Sequence, residues 1–142
     1  MQRKVINPTT VFNSLQYGFS QALEVPQGRR IMLSGQVGVD ADERTVGGGI
    51  AEQAAKALDN IDKVLAEVGG DLSDVIMLRL YIAESARDQQ EPIAQALRQR
   101  FPHNPPPSSW IIVSGLSLPE WLIEIEIEAE AVVPFSTESS PI

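Results

Sequence analysis

Hydrophobic and polar residues follow two different periods along the chain. Over residues 50–68, apolar side chains recur at three- and four-residue steps, which predicts an amphipathic helix that ends at the glycine pair 69–70. The apolar positions of this helix are Ile50, Ala54, Leu58, Ile61, Leu65 and Val68. A second helix is predicted over residues 86–101, because Pro102 and the prolines after it cannot continue a helix.

Other segments carry the two-residue period of β-strands. Residues 74–84 alternate in this way, and residues 122–133 form the longest predicted strand. Shorter strands are predicted at residues 2–6, 19–25, 30–39 and 109–114. The order β-β-β-α-β-α-β-β predicts a single α+β domain over residues 1–133, with one mixed sheet and both helices on one face. Residues 134–142 form a polar tail.

The last predicted strand, LIEIEIEAEA, separates two chemistries onto its two faces. Isoleucines and alanines share the face toward the helices, and the opposite face carries Glu124, Glu126, Glu128 and Glu130. This acidic face is either solvated or paired with cations of a neighbouring strand or subunit. Arg79 is the candidate cation, paired with Glu124 or another carboxylate. Its neighbours Met77 and Tyr81 make that side of its strand half apolar, which favours a buried subunit interface.

Composition narrows the class of protein. With 142 residues, 43% of them hydrophobic and 21% charged, the chain is expected to fold as one soluble globular domain. The net charge of −8 argues against nucleic acid as a partner. The absence of cysteine excludes disulfides and thiolate chemistry, and the lone His103 in a loop is no basis for a metal site. The sequence shows no signal peptide and no membrane span, so we expect a cytoplasmic protein without a membrane partner.

The segment NPPPSSWIIVSG, residues 104–115, combines a rigid loop with the start of a strand, a common setting for a binding site. It contains Ser108 and Ser109 but no charged residue. A serine nucleophile needs an activating base, and no histidine or lysine is suitably placed nearby in the sequence. These hydroxyls are therefore candidates for polar contacts with a ligand.

Four segments together resemble the RidA/YjgF superfamily, also called endoribonuclease L-PSP proteins. They are FSQAL at 19–23, LSGQVGVD at 33–40, EQAAKALDNIDKVLAEVGGDLSDVI at 52–76 and LIEIEIEA at 122–129. The resemblance extends over residues 6–133 and implies a chorismate-mutase-like fold. It also implies a homotrimer whose sheets form an inner barrel, with small-molecule sites in the clefts between subunits. The implied activity is hydrolysis of reactive imines and enamines, without a metal or cofactor.

The functional residues of the family carry over only in part. Glu124 matches the first glutamate of the family's Glu-Ile-Glu, which positions the attacking water, and Ser34-Gly35 matches a segment whose backbone approaches the ligand. Ser108 stands where the family has an arginine that grips the substrate carboxylate, a role that a hydroxyl cannot reproduce. In place of a family tyrosine and a small residue near the ligand, the chain has Phe19 and Trp110.

Three functions follow as alternatives. The first is an enzyme that hydrolyses a neutral or differently charged imine or enamine, with Glu124 as base and Ser108 or Ser109 as polar contacts. The second is a trimer that binds a small apolar or aromatic ligand against Phe19 and Trp110 without chemistry. Ribonuclease activity is the least favoured, because the sequence lacks a histidine pair and a basic groove. Glu124 in a structural ion pair and Trp110 in core packing are the corresponding structural interpretations.

Overall fold

The computed structural model describes residues 4–25 and 27–131. Its larger sheet is mixed and has the strand order β3-β7-β5-β6, with β4 also paired to β7. Strands β5 and β6 are parallel, and the other pairs of this sheet are antiparallel. The elements in chain order are β1 Lys4–Ile6, β2 Ala22–Glu24, β3 Arg29–Met32, β4 Gln36–Val37, α1 Ile50–Ala66, β5 Val75–Ala83, α2 Glu91–Arg100, β6 Ser108–Val113 and β7 Ile123–Ala131.

The core lies between the two helices and one face of this sheet, as the two periodicities predict. The central strands contribute the fully buried residues Leu78, Leu80, Ile82, Ile123, Ile125 and Ile127. The helices contribute Leu58, Ile61, Leu65, Ile93 and Leu97 to the same cluster. Burial of each such side chain stabilises the fold by about 1.5–3 kcal/mol. The predicted α+β fold with a mixed sheet and two helices on one face is therefore confirmed.

The N-terminal third departs from the prediction. Strands β1 and β2 form a separate antiparallel pair, so the strands do not all belong to one sheet. The predicted strand over 19–25 is shorter, and a 3₁₀ helix at Ser14–Tyr17 precedes it. This helix ends at Gly18, whose φ of +91° favours glycine and where a Cβ would lie 2.8 Å from Cβ of Leu97. The glycine thus lets the N-terminal segment pack closely on α2.

Several predicted boundaries also change. The long strand predicted over 30–39 is interrupted, giving β3 and β4 on either side of residues 33–35. Helix α1 ends at Ala66, so Val68 is 38% exposed and does not belong to the buried face. Helix α2 begins at Glu91 rather than at residue 86, because residues 84–86 form a 3₁₀ turn. The remaining strand ends that fall on described residues agree within a residue or two. Residues 2–3 of the first predicted strand, residues 132–133 and the predicted tail lie outside the described residues.

Neither α1 nor α2, nor any other helix within residues 4–25 and 27–131, is long and apolar enough to cross a lipid bilayer.

Candidate functional site

The sheet face opposite the helices, here called the open face, carries the predicted row of glutamates. Register places Glu126 of β7 opposite Arg79 of β5, and Glu124 opposite Tyr81. Ser109 and Ile111 of β6 lie beside Arg79 and Tyr81 on the same face. The side chains on this face are largely half-buried within one chain, because long neighbours lie over one another.

Arg79 binds two of the glutamates. Its Nη2 lies 2.6 Å from Oε2 of Glu128, and its Nε lies 3.8 Å from Oε1 of Glu126. Arg30 of β3 adds a second guanidinium, 3.5 Å from Oε1 of Glu128. The cation predicted on this face is therefore paired with Glu128 and Glu126, and not with Glu124. Two guanidiniums offset the repulsion that consecutive glutamates exert along a strand.

Tyr81 holds Glu126 from the other side. The Tyr81 hydroxyl donates a hydrogen bond of 2.7 Å to Oε1 of Glu126. This bond, together with burial and the negative charge of Glu126, raises the pKa of Tyr81, since loss of the proton would place two anions in contact. Glu126 is thereby fixed between a phenol and a guanidinium.

Glu124 differs from its neighbours on the strand. Among the described residues it has no hydrogen bond and no ion pair. Its side chain lies directly over Gly35, where an added Cβ would be 2.7 Å from Cδ of Glu124. The Ser34-Gly35 segment is held by a hydrogen bond of 3.2 Å from Nε2 of Gln36 to the carbonyl of Ser34. Within the described part of the chain, this half-buried carboxylate therefore has no side-chain partner that a ligand would have to displace.

The second group of predicted residues gathers at the start of β6. The Trp110 indole donates a hydrogen bond of 2.9 Å from Nε1 to Oγ of Ser108. Its ring lies 6.4 Å, centroid to centroid, from that of Phe19, which in turn lies 6.4 Å from Phe12. A hydrogen bond of 3.1 Å from the amide of Ser20 to the carbonyl of Pro106 joins the two segments. Trp110 is partly buried and also packs against the core. Part of its ring therefore has the core-packing role that was the alternative to ligand contact.

These two groups lie on opposite sides of the sheet. Trp110 is in register with Leu80, a core residue, whereas Glu124 is in register with Tyr81 on the open face. Ser109 alternates with Ser108 and therefore lies on the open face, away from the tryptophan. A single chain brings Glu124 together with Gly35, and Phe19 together with Ser108 and Trp110. It does not bring Glu124 to Ser108.

Sequence reasoning missed several residues of these groups. Phe12 lies in a loop without periodicity and is 61% exposed, so no pattern marks it. The alternation of β3 places Arg30 on the open face, but only the pairing of β3 with β7 shows that Glu128 is near.

A groove of about 360 Å³ beside Gly35 is lined by Gln36, Asn60 and Lys63. Within the described residues, no three acidic or histidine side chains cluster closely enough to hold a metal ion.

Comparison with known proteins agrees with the geometry. Residues 13–131 match the sequence profile of the family described as endoribonuclease L-PSP. The human protein named 2-iminobutanoate/2-iminopropanoate deaminase is 32% identical over 123 residues, covering 85% of each chain. A Yersinia pestis protein of the Rid family, YyfB, whose function is unknown, superposes with a TM-score of 0.85 at 37% identity, over 92% of this chain and all of that one. Yeast Mmf1 superposes with a TM-score of 0.66 at 25% identity, over 79% of this chain and 86% of that one. The chain therefore belongs to the endoribonuclease L-PSP family, within the RidA/YjgF superfamily.

Proposed function

We propose that this protein is a homotrimer that binds and hydrolyses small imines or enamines in clefts between neighbouring subunits. Family membership and the deaminases among the relatives support an imine deaminase or small-molecule binding role. The observation that carries the catalytic proposal is the state of Glu124. Its neighbours Glu126 and Glu128 are held by Arg79, while Glu124 has no hydrogen bond or ion pair among the described residues.

In imine hydrolysis, the role proposed for this carboxylate is to accept a proton and return it. Water adds to the imine carbon as its proton passes to Glu124, and the resulting carboxylic acid returns the proton to nitrogen. The adduct's hydroxyl then gives its proton, through Glu124, to the nitrogen as the carbon–nitrogen bond breaks, which releases ammonia and a carbonyl compound. Gly35 contributes by leaving space beside the carboxylate, because any larger residue there would displace it. No metal or cofactor takes part in this sequence of steps.

The arrangement of residues on the two faces of the sheet supports a site shared between subunits of the proposed homotrimer. Glu124 lies on the open face and the aromatic group on the other, so one chain supplies only half of a site. Apolar side chains border the open face at both edges, with Met32 of β3 70% exposed and Ile111 of β6 38% exposed. An apolar border around paired charges is typical of a protein interface. In the trimer, Glu124 of one subunit faces Phe19 and Trp110 of the next.

Two measurements test this proposal. Size-exclusion chromatography with light scattering should give three times the chain mass of 15.5 kDa. Glu124→Gln should lower kcat for imine hydrolysis by about 10²–10⁴-fold while the trimer persists. Glu67→Gln, at the exposed end of α1, is the charge-matched control and should be fully active. Full activity of Glu124→Gln would remove the catalytic role of this carboxylate.

Complementation tests whether the site is shared between subunits. Co-expressed Glu124→Gln and Trp110→Ala chains form mixed trimers in which some clefts receive both native residues. Activity should exceed the mean of the two separate variants. Activity no higher than that mean would place both residues in one subunit's site or exclude one of them from it. Thermal unfolding of each variant shows whether Trp110→Ala retains the fold.

Binding without catalysis is the second candidate function. It is favoured by the hydrogen bond between Trp110 and Ser108, since this bond occupies the hydroxyl that stands at the family's arginine position. An intact trimer that is stabilised by small aromatic ligands but releases no ammonia from any imine would establish this alternative. Ribonuclease activity remains the least favoured, because the open face is acidic and its arginines are paired.

A further inference from the structure

Positive charge on the open face is already engaged by glutamates. Among the described residues of β3 to β7, Arg30 and Arg79 both bind Glu128, and Arg79 also approaches Glu126. At the position that the resemblance assigns to a carboxylate clamp, Ser108 accepts the indole hydrogen bond of Trp110. Nη1 of Arg79 has no hydrogen bond to any described residue, but it is buried within the chain. A ligand carboxylate would therefore reach the proposed cleft without meeting an accessible, unpaired guanidinium of β3 or β5.

On the open face, within the described strands β3 to β7, the charge that has no partner is that of Glu124. Glu124 is unpaired among the described residues. It lies two residues before Glu126 on the same face of β7, a spacing of roughly 6–7 Å. The whole chain adds a net charge of −8, which raises the local concentration of cations and lowers that of anions. Electrostatics at this carboxylate thus discriminate against an anionic substrate.

Aromatic side chains supply a second feature that suits a cation. Phe12, Phe19 and Trp110 form a row with successive centroid distances of 6.4 Å and interplanar angles of 70° and 52°. Core packing does not explain Phe12, whose side chain is 61% exposed. The Ser108 hydrogen bond fixes the Trp110 ring in place. Faces of such rings attract organic ammonium and iminium groups.

We infer that the cleft selects organic cations, namely the protonated imines of amines that carry no carboxylate. This inference rests on the proposed intersubunit site, and it names the substrate class of that site. The positive nitrogen would lie between Glu124 and the aromatic row, with an apolar or aromatic substituent against Phe19 and Trp110. Oxidation of a primary amine, rather than of an amino acid, is the class of reaction that supplies such a substrate.

The reaction balances with water as the only co-reactant. In R–CH=NH₂⁺, water adds to the carbon and Glu124 takes one of its protons. The nitrogen then receives that proton. As the carbon–nitrogen bond breaks, the hydroxyl proton passes through Glu124 to the departing ammonia, so an aldehyde and ammonium leave. The cationic imine is the better electrophile for this addition, and the neighbouring carboxylate favours its protonated form.

A matched pair of substrates tests the inference. Oxidation of 2-phenylethylamine by a flavin amine oxidase and of phenylalanine by an amino-acid oxidase gives imines that share a benzyl group and differ in one carboxylate. The measurement is the rate of ammonia release above the spontaneous rate. We expect kcat/KM for the imine of 2-phenylethylamine to exceed that for the imine of phenylalanine by about tenfold or more. Ser108→Arg should reverse this preference, whereas Gln95→Arg, at an exposed position of α2, is the charge-matched control and should leave the preference unchanged.

The outcomes separate the inference from the proposed function. Faster turnover of the phenylalanine imine by the wild-type trimer would overturn the inference but keep the deaminase. Lys63→Met would then show whether Lys63, which lines the same groove as Gly35, binds the substrate carboxylate. If neither imine is hydrolysed, the catalytic proposal fails and calorimetry decides the inference. Tighter binding of 2-phenylethylammonium than of 3-phenylpropanoate, weakened about tenfold by Glu124→Gln, supports it; equal binding, the reverse order or no binding of either overturns it.

Discussion

Gly35 offers a direct test of how Glu124 is positioned. A methyl group at this position would lie 2.7 Å from Cδ and 2.8 Å from Cγ of Glu124. Ordinary van der Waals contact begins at 3.4 Å, so Cδ must move by at least 0.7 Å in Gly35→Ala. Oε2 of Glu124 would lie closer still to the new Cβ, so it must move further. The strand backbone can stay in place, because the clash is with the end of a flexible side chain.

The size of the effect differs between activity and stability. Moving Glu124 to a less favourable rotamer costs about 0.5–1.5 kcal/mol, so Gly35→Ala should remain folded and trimeric. A shift of a catalytic group by about 1 Å can cost 10²-fold in rate, and we therefore expect kcat/KM to fall by about ten- to a hundredfold. Gly35→Ala should thus lower the rate of imine hydrolysis as Glu124→Gln does, but by a smaller factor.

Steady-state imine hydrolysis and thermal unfolding should be measured on the same preparations. Gly47→Ala is the matched control, because a Cβ there meets nothing within 4 Å, and it should be as active as the wild type. If Gly35→Ala folds normally and keeps wild-type kcat/KM, the position of Glu124 over Gly35 does not matter for function. A crystal structure of the variant would show directly whether the carboxylate has moved.

Three further predictions concern stability, each measured by urea unfolding at fixed protein concentration. Because the neutral Tyr81 hydroxyl binds Glu126 and its pKa is raised, Tyr81→Phe should lower the unfolding free energy by about 1 kcal/mol. This deficit should be constant from about pH 6 to about pH 10 and should narrow as the pH rises through the folded-state pKa of Tyr81; a deficit unchanged at high pH would contradict the assignment. Arg79→Leu should cost about 1–3 kcal/mol at pH 7, less than for a fully buried pair since the arginine is 32% exposed, and the loss should shrink at pH 4 as carboxylates protonate; no loss at pH 7 would show that the ion pairs add nothing. Gln53→Leu should cost about 2–4 kcal/mol, because the buried amide bonds the carbonyl of residue 120 and the amide of residue 122; a cost below 1 kcal/mol would mean that water replaces both bonds.

The sequence by itself determined which surfaces of the main elements are apolar. The three- and four-residue steps of α1 and the strict alternation of β7 are local properties, and a periodic element can bury only its apolar face. The opposed rows of isoleucine and glutamate, and Arg79 on the acidic side, were readable for the same reason. The secondary-structure prediction failed where the spacing of apolar residues carries no information. Examples are the 3₁₀ helix before Gly18 and the interrupted strand around Gly35.

Only the tertiary structure decided which charges meet and which stay free. The choice of Glu128 and Glu126 over Glu124 depends on the register of β5 against β7, and register is set by contacts between distant parts of the chain. The same register places Trp110 and Glu124 on opposite sides of the sheet, although both were predicted for one site. Sequence patterns assign a side chain to a face of its own strand. Which neighbour that face meets depends on how the strands align. This is why the sequence could not predict that Glu124 has no partner within residues 4–25 and 27–131.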